Sequence, residues 1–396
     1  MVSFPSIHWQ ARAPLGENAV QSLLISALRG LAALQVAAAH LRAEIYPGLR
    51  TLEDPSLAYM GLAFITGFAH QAVVVFFLIS GWLVGGSLMN RFGKPQAIAH
   101  YAIDRVTRLW TVLLPTLLLS LAIGLVAGAA APGPIDVNPA NPFSASALAG
   151  NLFGLQTMSV PEFGGNYPLW SLAHETWYYI QFPLLLLVLA GGGALRRAAA
   201  AAALILLLAT LRDMISLYFA IWLLGAAFSR IRIDCGKSVQ ALLLVVTLAL
   251  FVYYRLRGTN DDLVPASFVQ DMICSIPFLL LLASFQRPAD TQAPAYVRAN
   301  RLAVFFSEFS FSLYVLHVPA IYLIRHLGRQ YLGRDQLDPN SAVDFLWYTA
   351  LLAALVLAAY LFYLLFERHT IRIRNTLKNV LLSPRPKPVR VAFSPD

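Results

Sequence analysis

An arginine and a histidine share one apolar stretch near the N-terminus, where they could serve anion binding and acid–base chemistry. Arg29 begins the run Arg29-Gly30-Leu31-Ala32-Ala33-Leu34-Gln35-Val36-Ala37-Ala38-Ala39-His40 and His40 ends it. If the run is helical, both side chains lie on one face, about 16 Å apart along the axis. Ionisable groups inside an apolar helix of membrane length are costly and by default mark a functional site. The structural alternative is that Arg29 reaches to an interface and His40 caps the other end.

His40 is the candidate general base, because an imidazole titrates close to neutral pH. Glu44 follows one helical turn later, so it could orient His40 or simply face the outer water. A second carboxylate, Glu175, lies in the run Trp170-Ser171-Leu172-Ala173-His174-Glu175. A base paired with an orienting carboxylate is the arrangement that activates a hydroxyl group. We therefore predict that His40 and Glu175 form the catalytic pair.

Two arginines, Arg105 and Arg108, are three residues apart and share a helix face if that segment is helical. Paired guanidinium groups can bind phosphate oxygens through two hydrogen bonds. On the spacing alone, basic residues that flank a membrane helix on its cytoplasmic side are the preferred explanation of the pair.

Other polar or aromatic residues in apolar segments are candidates for contact with the substrate. These residues are Trp170, Ser171, His174, Tyr314, His317 and His70. An aromatic belt at the membrane interface also explains the tryptophan and tyrosine residues. Hydrogen bonds between neighbouring helices also explain the serine and histidine residues.

The composition of the chain is typical of a polytopic membrane protein. Of its 396 residues, 58% are hydrophobic and only 12% are charged, and the mean hydropathy is +0.64. Soluble domains carry about 25% charged residues. The net charge is +9, but the basic residues are scattered between apolar runs, which argues against nucleic-acid binding. Two cysteines, Cys235 and Cys274, are too few for a disulfide framework or a metal cluster, so no metal is expected.

The apolar runs predict an all-α fold, a polytopic helix bundle of about ten transmembrane helices. We expect a short N-terminal tail over 1–20, a transmembrane domain over 21–366 and a basic C-terminal tail over 367–396. A basic connector over 91–108, polar loops over 286–301 and 326–342, and a long loop over 130–167 separate some of the helices. The predicted helices cover residues 21–42, 60–89, 109–129, 168–190, 198–211, 214–229, 239–254, 265–285, 302–324 and 343–366.

The distribution of positive charge predicts the orientation of this bundle. If both termini are cytoplasmic, 21 of the 29 lysines and arginines fall in inner segments and 8 in outer ones. Such a bias is typical of cytoplasmic segments. We therefore expect both termini on the cytoplasmic side, Arg29 near the cytoplasm and His40 near the outer face.

Five motifs in this order resemble the acyltransferase-3 family of integral-membrane acyltransferases. The first predicted helix carries Arg29, Gly30, Ala33 and His40 of an Arg-Gly-x-x-Ala-…-His pattern, and the resemblance spans about 28–366. The other four motifs are Phe76-Phe77-x-x-Ser80-Gly81, Arg105-x-x-Arg108 with Trp110 and Pro115, Trp170-Ser171-Leu172-x-x-Glu175, and Ser310-x-Ser312-Leu313-Tyr314-x-x-His317.

The resemblance implies an O-acyltransferase that takes an acyl group, by default acetyl, from cytoplasmic acyl-CoA. The acceptor would be a hydroxyl group of an extracytoplasmic carbohydrate or glycolipid, and the location a bacterial inner membrane. In that case Arg105 and Arg108, with Arg29, would hold the CoA phosphates, and His40 oriented by Glu175 would deprotonate the acceptor. An acyl-enzyme through His40 is an alternative chemistry.

A function of another class is also open at this stage. A transporter or flippase for a polysaccharide or lipid-linked intermediate could use the same intramembrane arginine and histidine as a substrate or proton path. The two functions differ in whether acyl-CoA is consumed.

Overall fold

The computed structural model describes residues 5–14, 19–130, 137–258, 264–334 and 336–382, and these residues are mostly helical. The two short strands in this part of the chain are β1 (Ser6–Trp9) and β2 (Ile231–Asp234). The α-helices are α1 (Val20–Ile45), α2 (Leu57–Ile65), α3 (Ala69–Ser80), α4 (Gly86–Arg91), α5 (Ala97–Val126), α6 (Ala145–Leu152), α7 (Leu169–Ala190), α8 (Ala194–Thr210), α9 (Asp213–Phe228), α10 (Lys237–Arg257), α11 (Pro265–Ala283), α12 (Pro294–Glu308), α13 (Ser310–Leu332), α14 (Ala342–Leu365) and α15 (Thr370–Leu382).

Six helical segments within the described residues are long and apolar enough to cross a membrane, and α12 with α13 makes a seventh if that bent pair is one span. The predicted all-α membrane bundle is thus confirmed, whereas the count of about ten spans and the orientation stay predictions. Of the remaining predicted spans, α9 is apolar but short. The six segments are Val20–Thr51, Leu57–Arg91, Ala97–Val126, Lys237–Arg257, Pro265–Ala283 and Ala342–Leu382.

The second predicted span, 60–89, is interrupted twice. The α2 helix ends before Thr66, whose hydroxyl donates to the Leu62 carbonyl at 2.7 Å and accepts from Arg42 Nε at 2.9 Å. After α3, the segment Gly81–Gly85 forms a π-helix that leads into α4. Such π-helical turns are frequent at functional sites. At Gly81 a Cβ atom would lie 1.9 Å from the Trp222 carbonyl oxygen, so α3 and α9 approach each other with backbone in contact.

The ninth predicted span is also bent. A break at Phe309 separates α12 from α13, whose axes differ by 48°. The α12 helix begins at Pro294 inside the predicted loop 286–301, because proline is favoured at the first helical position. The α13 helix extends to Leu332, so most of the first half of the predicted loop 326–342 is helical as well.

Both predicted tails contain structure that composition does not indicate. Within the predicted tail 1–20, β1 pairs antiparallel with β2. Within the predicted tail 367–396, α15 packs along α5, and Lys378 Nζ lies 2.5 Å from an Asp104 carboxylate oxygen. The last part of that tail, 383–396, lies outside the described residues.

The basic connector is corrected too. We predicted a surface segment over 91–108, but α5 already begins at Ala97. Arg105 and Arg108 therefore lie within a long helix and have fixed directions, which the connector would not have given them.

The predicted loop 130–167, of which residues 131–136 lie outside the description, folds onto the bundle and contains α6. Its buried side chains bond to the backbone: Gln156 Nε2 donates to the Leu169 carbonyl at 2.8 Å, and Asn166 Nδ2 donates to the Val315 carbonyl at 2.9 Å. Neither side chain is exposed to solvent. This segment therefore contacts both the start of α7 and the N-terminal part of α13.

Candidate active site

A cavity of about 640 Å³ lies among α1, α3, α5, α7 and the α12–α13 break. Its lining on the α3–α4 segment runs from Val73 to Ser87, a length of about 20 Å along the helix. Val73 and Ser171 lie at one end, which we call the deep end, and Arg105 and Arg374 lie at the other, which we call the mouth. The cavity is therefore a long channel between helices rather than a surface depression.

The mouth carries a guanidinium group with no carboxylate partner among the described residues. Arg105 lies over two aromatic rings, with its Cζ atom 5.5 Å from the centre of the Tyr179 ring and 5.9 Å from that of Tyr101. Its buried Nε atom has no hydrogen-bond partner. Aromatic faces hold a cation in place without neutralising it. Arg105 can therefore attract an anion into the cavity.

Arg108 is held differently. It forms an ion pair with Glu367, whose side chain is almost fully buried. The other carboxylate oxygen of Glu367 accepts the backbone N–H of Ser312 at 3.0 Å and the Ser312 hydroxyl at 2.6 Å. Both arginines line the cavity, but Arg108 is already neutralised by a carboxylate.

Glu367 is a site residue that the sequence analysis missed, because we assigned it to the C-terminal tail. The structure places it in a short 3-10 helix directly after α14. It is an acidic residue at the start of a mostly basic segment, and that position was the available signal.

Arg29 lies between the guanidinium groups of Arg105 and Arg108 and the deep end of the cavity. Its Nη2 atom donates weakly to the Ser310 hydroxyl at 3.5 Å, and it lines the cavity together with Ser307. The bend between α12 and α13 at this level exposes the start of α13 to the cavity. Arg29 is thus a cation partway along the channel, not an anchor at an interface.

Glu175 also lines the cavity, and its carboxylate accepts a hydrogen bond from the Ser80 hydroxyl. Ser80 in turn accepts from Trp222 Nε1 at 3.1 Å. Ser80 is the last residue of α3 before the π-helix, so the Ser-Gly motif positions both the close approach to α9 and the partner of Glu175.

Tyr314 on α13 and Ser171 on α7 bound the deep end. Their hydroxyl oxygens are 2.6 Å apart, so one hydroxyl donates to the other, and the hydroxyl that accepts can donate to the Pro168 carbonyl, which is 3.2 Å from Tyr314 and 3.0 Å from Ser171. The Tyr314 ring packs edge-on against Phe76 with centroids 5.6 Å apart. Its other neighbour is His317, with centroids 5.9 Å apart. Tyr314 therefore contacts both the cavity and the group beyond it.

Beyond Tyr314, as seen from the cavity, lies a pair of histidines. His40 Nδ1 lies 2.8 Å from His317 Nε2, and the two rings stack with centroids 5.0 Å apart. His317 Nδ1 lies 3.2 Å from the Leu313 carbonyl oxygen, which can only accept, so this nitrogen carries a proton. In neutral His317 the Nε2 atom is then an acceptor, and His40 Nδ1 donates to it. Neutral His40 consequently has its lone pair on Nε2, as a general base requires.

The partner predicted for His40 is therefore corrected. We expected Glu175 to orient it, with Glu44 as an alternative, but the position is taken by His317. Glu175 bonds to Ser80, and Glu44 pairs with Arg325 Nη1 at 2.6 Å. The physical reason is depth: Glu175 lies one helical turn from Ser171 towards the mouth, whereas His40 lies beyond the deep end.

His40 is half-buried and meets the loop that precedes α7. Its ring packs edge-on against Tyr167, with centroids 5.0 Å apart. Burial raises the pKa of the Tyr167 phenol above its ordinary value, so this hydroxyl remains protonated. Tyr322 also meets the loop, donating to the Gly165 carbonyl at 3.0 Å. His40 therefore packs against the ring of Tyr167, in a loop that Tyr322 also holds.

Three predicted substrate contacts lie away from the cavity. Trp170 and His174 pack against Phe77, and the His174 ring is nearly parallel to that of Phe77 with centroids 6.0 Å apart. His70 Nε2 is 2.8 Å from an Asp271 carboxylate oxygen, which also accepts from the Tyr218 hydroxyl at 2.6 Å. His70 thus belongs to a separate buried polar cluster between α3, α9 and α11.

The site offers cations and hydroxyl groups rather than metal ligands. Among the described residues, no group of three histidine, cysteine or acidic side chains is placed to hold a metal ion. The predicted residues that line the cavity are Arg29, Arg105, Arg108, Ser171, Glu175 and Tyr314. With the histidine pair beyond them, this arrangement can bind an anion at one end and abstract a proton at the other.

Comparison with known proteins agrees with this chemistry. The model of an acyltransferase domain family, acyltransferase 3, matches residues 24–364, which is most of the chain. Neither the search of curated proteins nor the search of solved structures finds a match. On the family match, the chain belongs to the acyltransferase-3 family of membrane acyltransferases.

Proposed function

We propose that this protein transfers an acyl group, acetyl by default, from cytoplasmic acyl-CoA to a hydroxyl group of an extracytoplasmic carbohydrate or glycolipid. The observation that supports this most is the order of groups along one path: Arg105 at the mouth, Arg29 partway, Tyr314 at the deep end, and His40 beyond it. A bacterial inner membrane is the proposed location.

The dimensions and charges of the cavity suit the donor substrate. An acyl-CoA has phosphates at one end, a long flexible arm, and a thioester at the other end. At its mouth the cavity has the Arg105 guanidinium, which pairs with no carboxylate in the described part of the chain, and it runs about 20 Å between mostly apolar walls. Guanidinium groups bind phosphate oxygens in this manner. In this pose, the thioester reaches the deep end near Ser171 and Tyr314.

The role proposed for Arg108 follows from its ion pair. Glu367 neutralises Arg108, so of the three predicted arginines Arg105 and Arg29 are the ones available for phosphate in the observed arrangement. Arg108 joins them only if a phosphate replaces Glu367. Arg108 is therefore proposed as a secondary contact.

The proposed acceptor enters beside Tyr167, which packs against His40, and its hydroxyl group must reach the space between His40 Nε2 and the thioester at the deep end of the cavity. The acceptor O–H transfers its proton to His40 Nε2, and its oxygen attacks the thioester carbonyl carbon. The C–S bond then breaks, CoA leaves as the thiolate, and the proton passes from His40 to the departing sulfur or to water. His317 holds the tautomer of His40 that this step needs. Glu175 keeps a proposed role on the donor side, through Ser80.

Purified protein in detergent, supplied with radiolabelled acetyl-CoA and a polysaccharide or glycolipid acceptor, tests the proposal. We expect label in the acceptor and an equal amount of free CoA. Omitting the acceptor should leave only slow hydrolysis. If the protein moves a glycan or lipid-linked intermediate across vesicles while acetyl-CoA stays intact, the proposal is wrong and a transport function replaces it.

A further inference from the structure

We propose that Tyr314 sets the size of the acyl group by forming the wall of the donor cavity at its deep end. This inference rests on the proposed function, since it concerns which acyl-CoA that same cavity accepts. It concerns the ring of Tyr314 rather than its hydroxyl group.

The position of Tyr314 along α13 supports its role as an end wall. Ser310, Phe311 and Tyr314 all line the cavity, whereas His317, one helical turn beyond, does not. On α7 the same limit is reached at Ser171, and His174 packs elsewhere. The cavity therefore ends at the level of Tyr314 on two separate helices.

The ring is fixed from several sides. Its hydroxyl group is bound to Ser171 at 2.6 Å and approaches the Pro168 carbonyl at 3.2 Å. Phe76 and His317 each pack edge-on against the ring. Only 5% of Tyr314 is exposed. The ring is packed against its neighbours, and its hydroxyl group is hydrogen-bonded. Displacing it for a larger ligand would therefore cost free energy, as overpacking does in other protein interiors.

The chemistry of this end favours a short acyl group. The carbons of the acyl chain would meet Val73, Phe76 and the Tyr314 ring, which are apolar surfaces with a fixed spacing. One methylene group in such a pocket changes the specificity constant by roughly 10- to 200-fold. Shortening the wall should therefore open the cavity to longer acyl groups.

The test compares kcat/KM for acetyl-, propionyl- and butyryl-CoA with one acceptor in full-length protein. For wild type we expect acetyl to be preferred. Tyr314→Leu should raise the butyryl-to-acetyl ratio about 10-fold. Tyr314→Phe keeps the ring and should leave that ratio within about 2-fold of the wild-type value.

Tyr363→Leu is the matched control. Tyr363 lines the same cavity near its mouth, where its hydroxyl donates to Glu308 at 3.2 Å. This change should alter KM for all three donors alike and leave the butyryl-to-acetyl ratio of kcat/KM unchanged. If it raises the ratio as much as Tyr314→Leu does, the wall is not at Tyr314.

The remaining outcomes are also decisive. An unchanged ratio in Tyr314→Leu, or a raised ratio in Tyr314→Phe, overturns the inference while leaving the proposed function intact. If Tyr314→Leu does not elute as a single species, Phe76→Leu at the same end decides, with a raised ratio expected. If wild type transfers no acyl group from any donor, the proposed function itself fails.

Discussion

His40 has a defined tautomer because each nitrogen of its partner His317 has a fixed role. The Leu313 carbonyl takes the proton of His317 Nδ1, and His317 Nε2 takes that of His40 Nδ1. A carboxylate would stabilise the imidazolium that forms when a base accepts a proton, whereas a neutral histidine mainly orients it. The site therefore depends on geometry at this residue more than on a nearby negative charge.

Replacing His317 should lower the rate of transfer without weakening donor binding. We expect His317→Ala to reduce kcat on the order of 100-fold, because His40 is then free to rotate or to change tautomer. His317→Gln retains an oxygen that can accept from His40 Nδ1 and should recover part of this loss. The measurements are kcat, KM for acetyl-CoA and the pH dependence of kcat for both variants.

A purely structural role for His317 makes a different prediction. In that case His317→Ala and His317→Gln lose activity in proportion to the fraction of folded protein, and the pH dependence of kcat stays the same in both.

At the scale of elements, the contact between α3 and α9 depends on residues without side chains. A Cβ atom at Gly81 would lie 1.9 Å from the Trp222 carbonyl oxygen, and one at Gly225 would lie 2.1 Å from the Leu78 carbonyl oxygen. Those contacts are with backbone, so no side-chain rotation relieves them. The π-helix Gly81–Gly85 lies at this crossing and holds the adjacent Ser80 towards Glu175.

Gly81→Ala should therefore destabilise the bundle by about 2 kcal/mol or more, as overpacking does in other cores. The control is Gly61→Ala in α2, where no atom lies within 4 Å of the added Cβ. Thermal unfolding in detergent should show a clear decrease in the midpoint for Gly81→Ala and none for Gly61→Ala. Equal midpoints would show that the two helices are not in backbone contact.

The link between α5, α13 and the end of α14 depends on Glu367. Glu367 is almost fully buried, but the Arg108 side chain is 30% exposed, so removing Glu367 should cost less than the about 3–5 kcal/mol typical of a fully buried ion pair. Glu367→Ala leaves both Arg108 and the Ser312 N–H without their partner, whereas Glu367→Gln keeps an acceptor for Ser312. We expect the unfolding midpoint to fall in the order wild type, Glu367→Gln, Glu367→Ala. A midpoint for Glu367→Ala equal to that of wild type would contradict this account.

For the whole molecule, the sequence predicts the fold class well but does not predict where the membrane helices are interrupted. Apolar runs gave the helices of the bundle, since membrane length and hydropathy are local properties. The breaks after Ile65 and at Phe309 depend on tertiary contacts, which no window of sequence contains. The strand pair and α15 were missed for the same reason, because each is stabilised by a distant segment.

The candidate site was also predicted only in part: its residues were identified, but not their contacts. Of the eleven predicted site residues, six line one cavity. Their pairing was not found, because Glu175 and His317 are equally plausible partners of His40 until the depth of each on its helix is known. Glu367 carried too weak a sequence signal to be separated from the tail.

Orientation is a prediction at the scale of the whole molecule. From the bias of 21 basic residues in inner segments against 8 in outer ones, we expect both termini in the cytoplasm. A reporter active only in the cytoplasm, fused to the C-terminus, should be active. A single cysteine placed in the segment 137–162, in a variant with serine at Cys235 and Cys274, should react with an impermeant thiol reagent from outside. The reverse pattern would place His40 on the donor side and contradict the proposed path.

The central claim is that donor binding and proton abstraction are performed by separate ends of one path. It is tested most directly by measuring acetyl-CoA binding and acetyl transfer together in His40→Ala and Arg105→Ala. His40→Ala should bind acetyl-CoA with wild-type affinity and lose transfer by about 100-fold or more, whereas Arg105→Ala should bind acetyl-CoA more weakly. Folded His40→Ala protein that transfers acetyl groups at the wild-type rate would contradict the account.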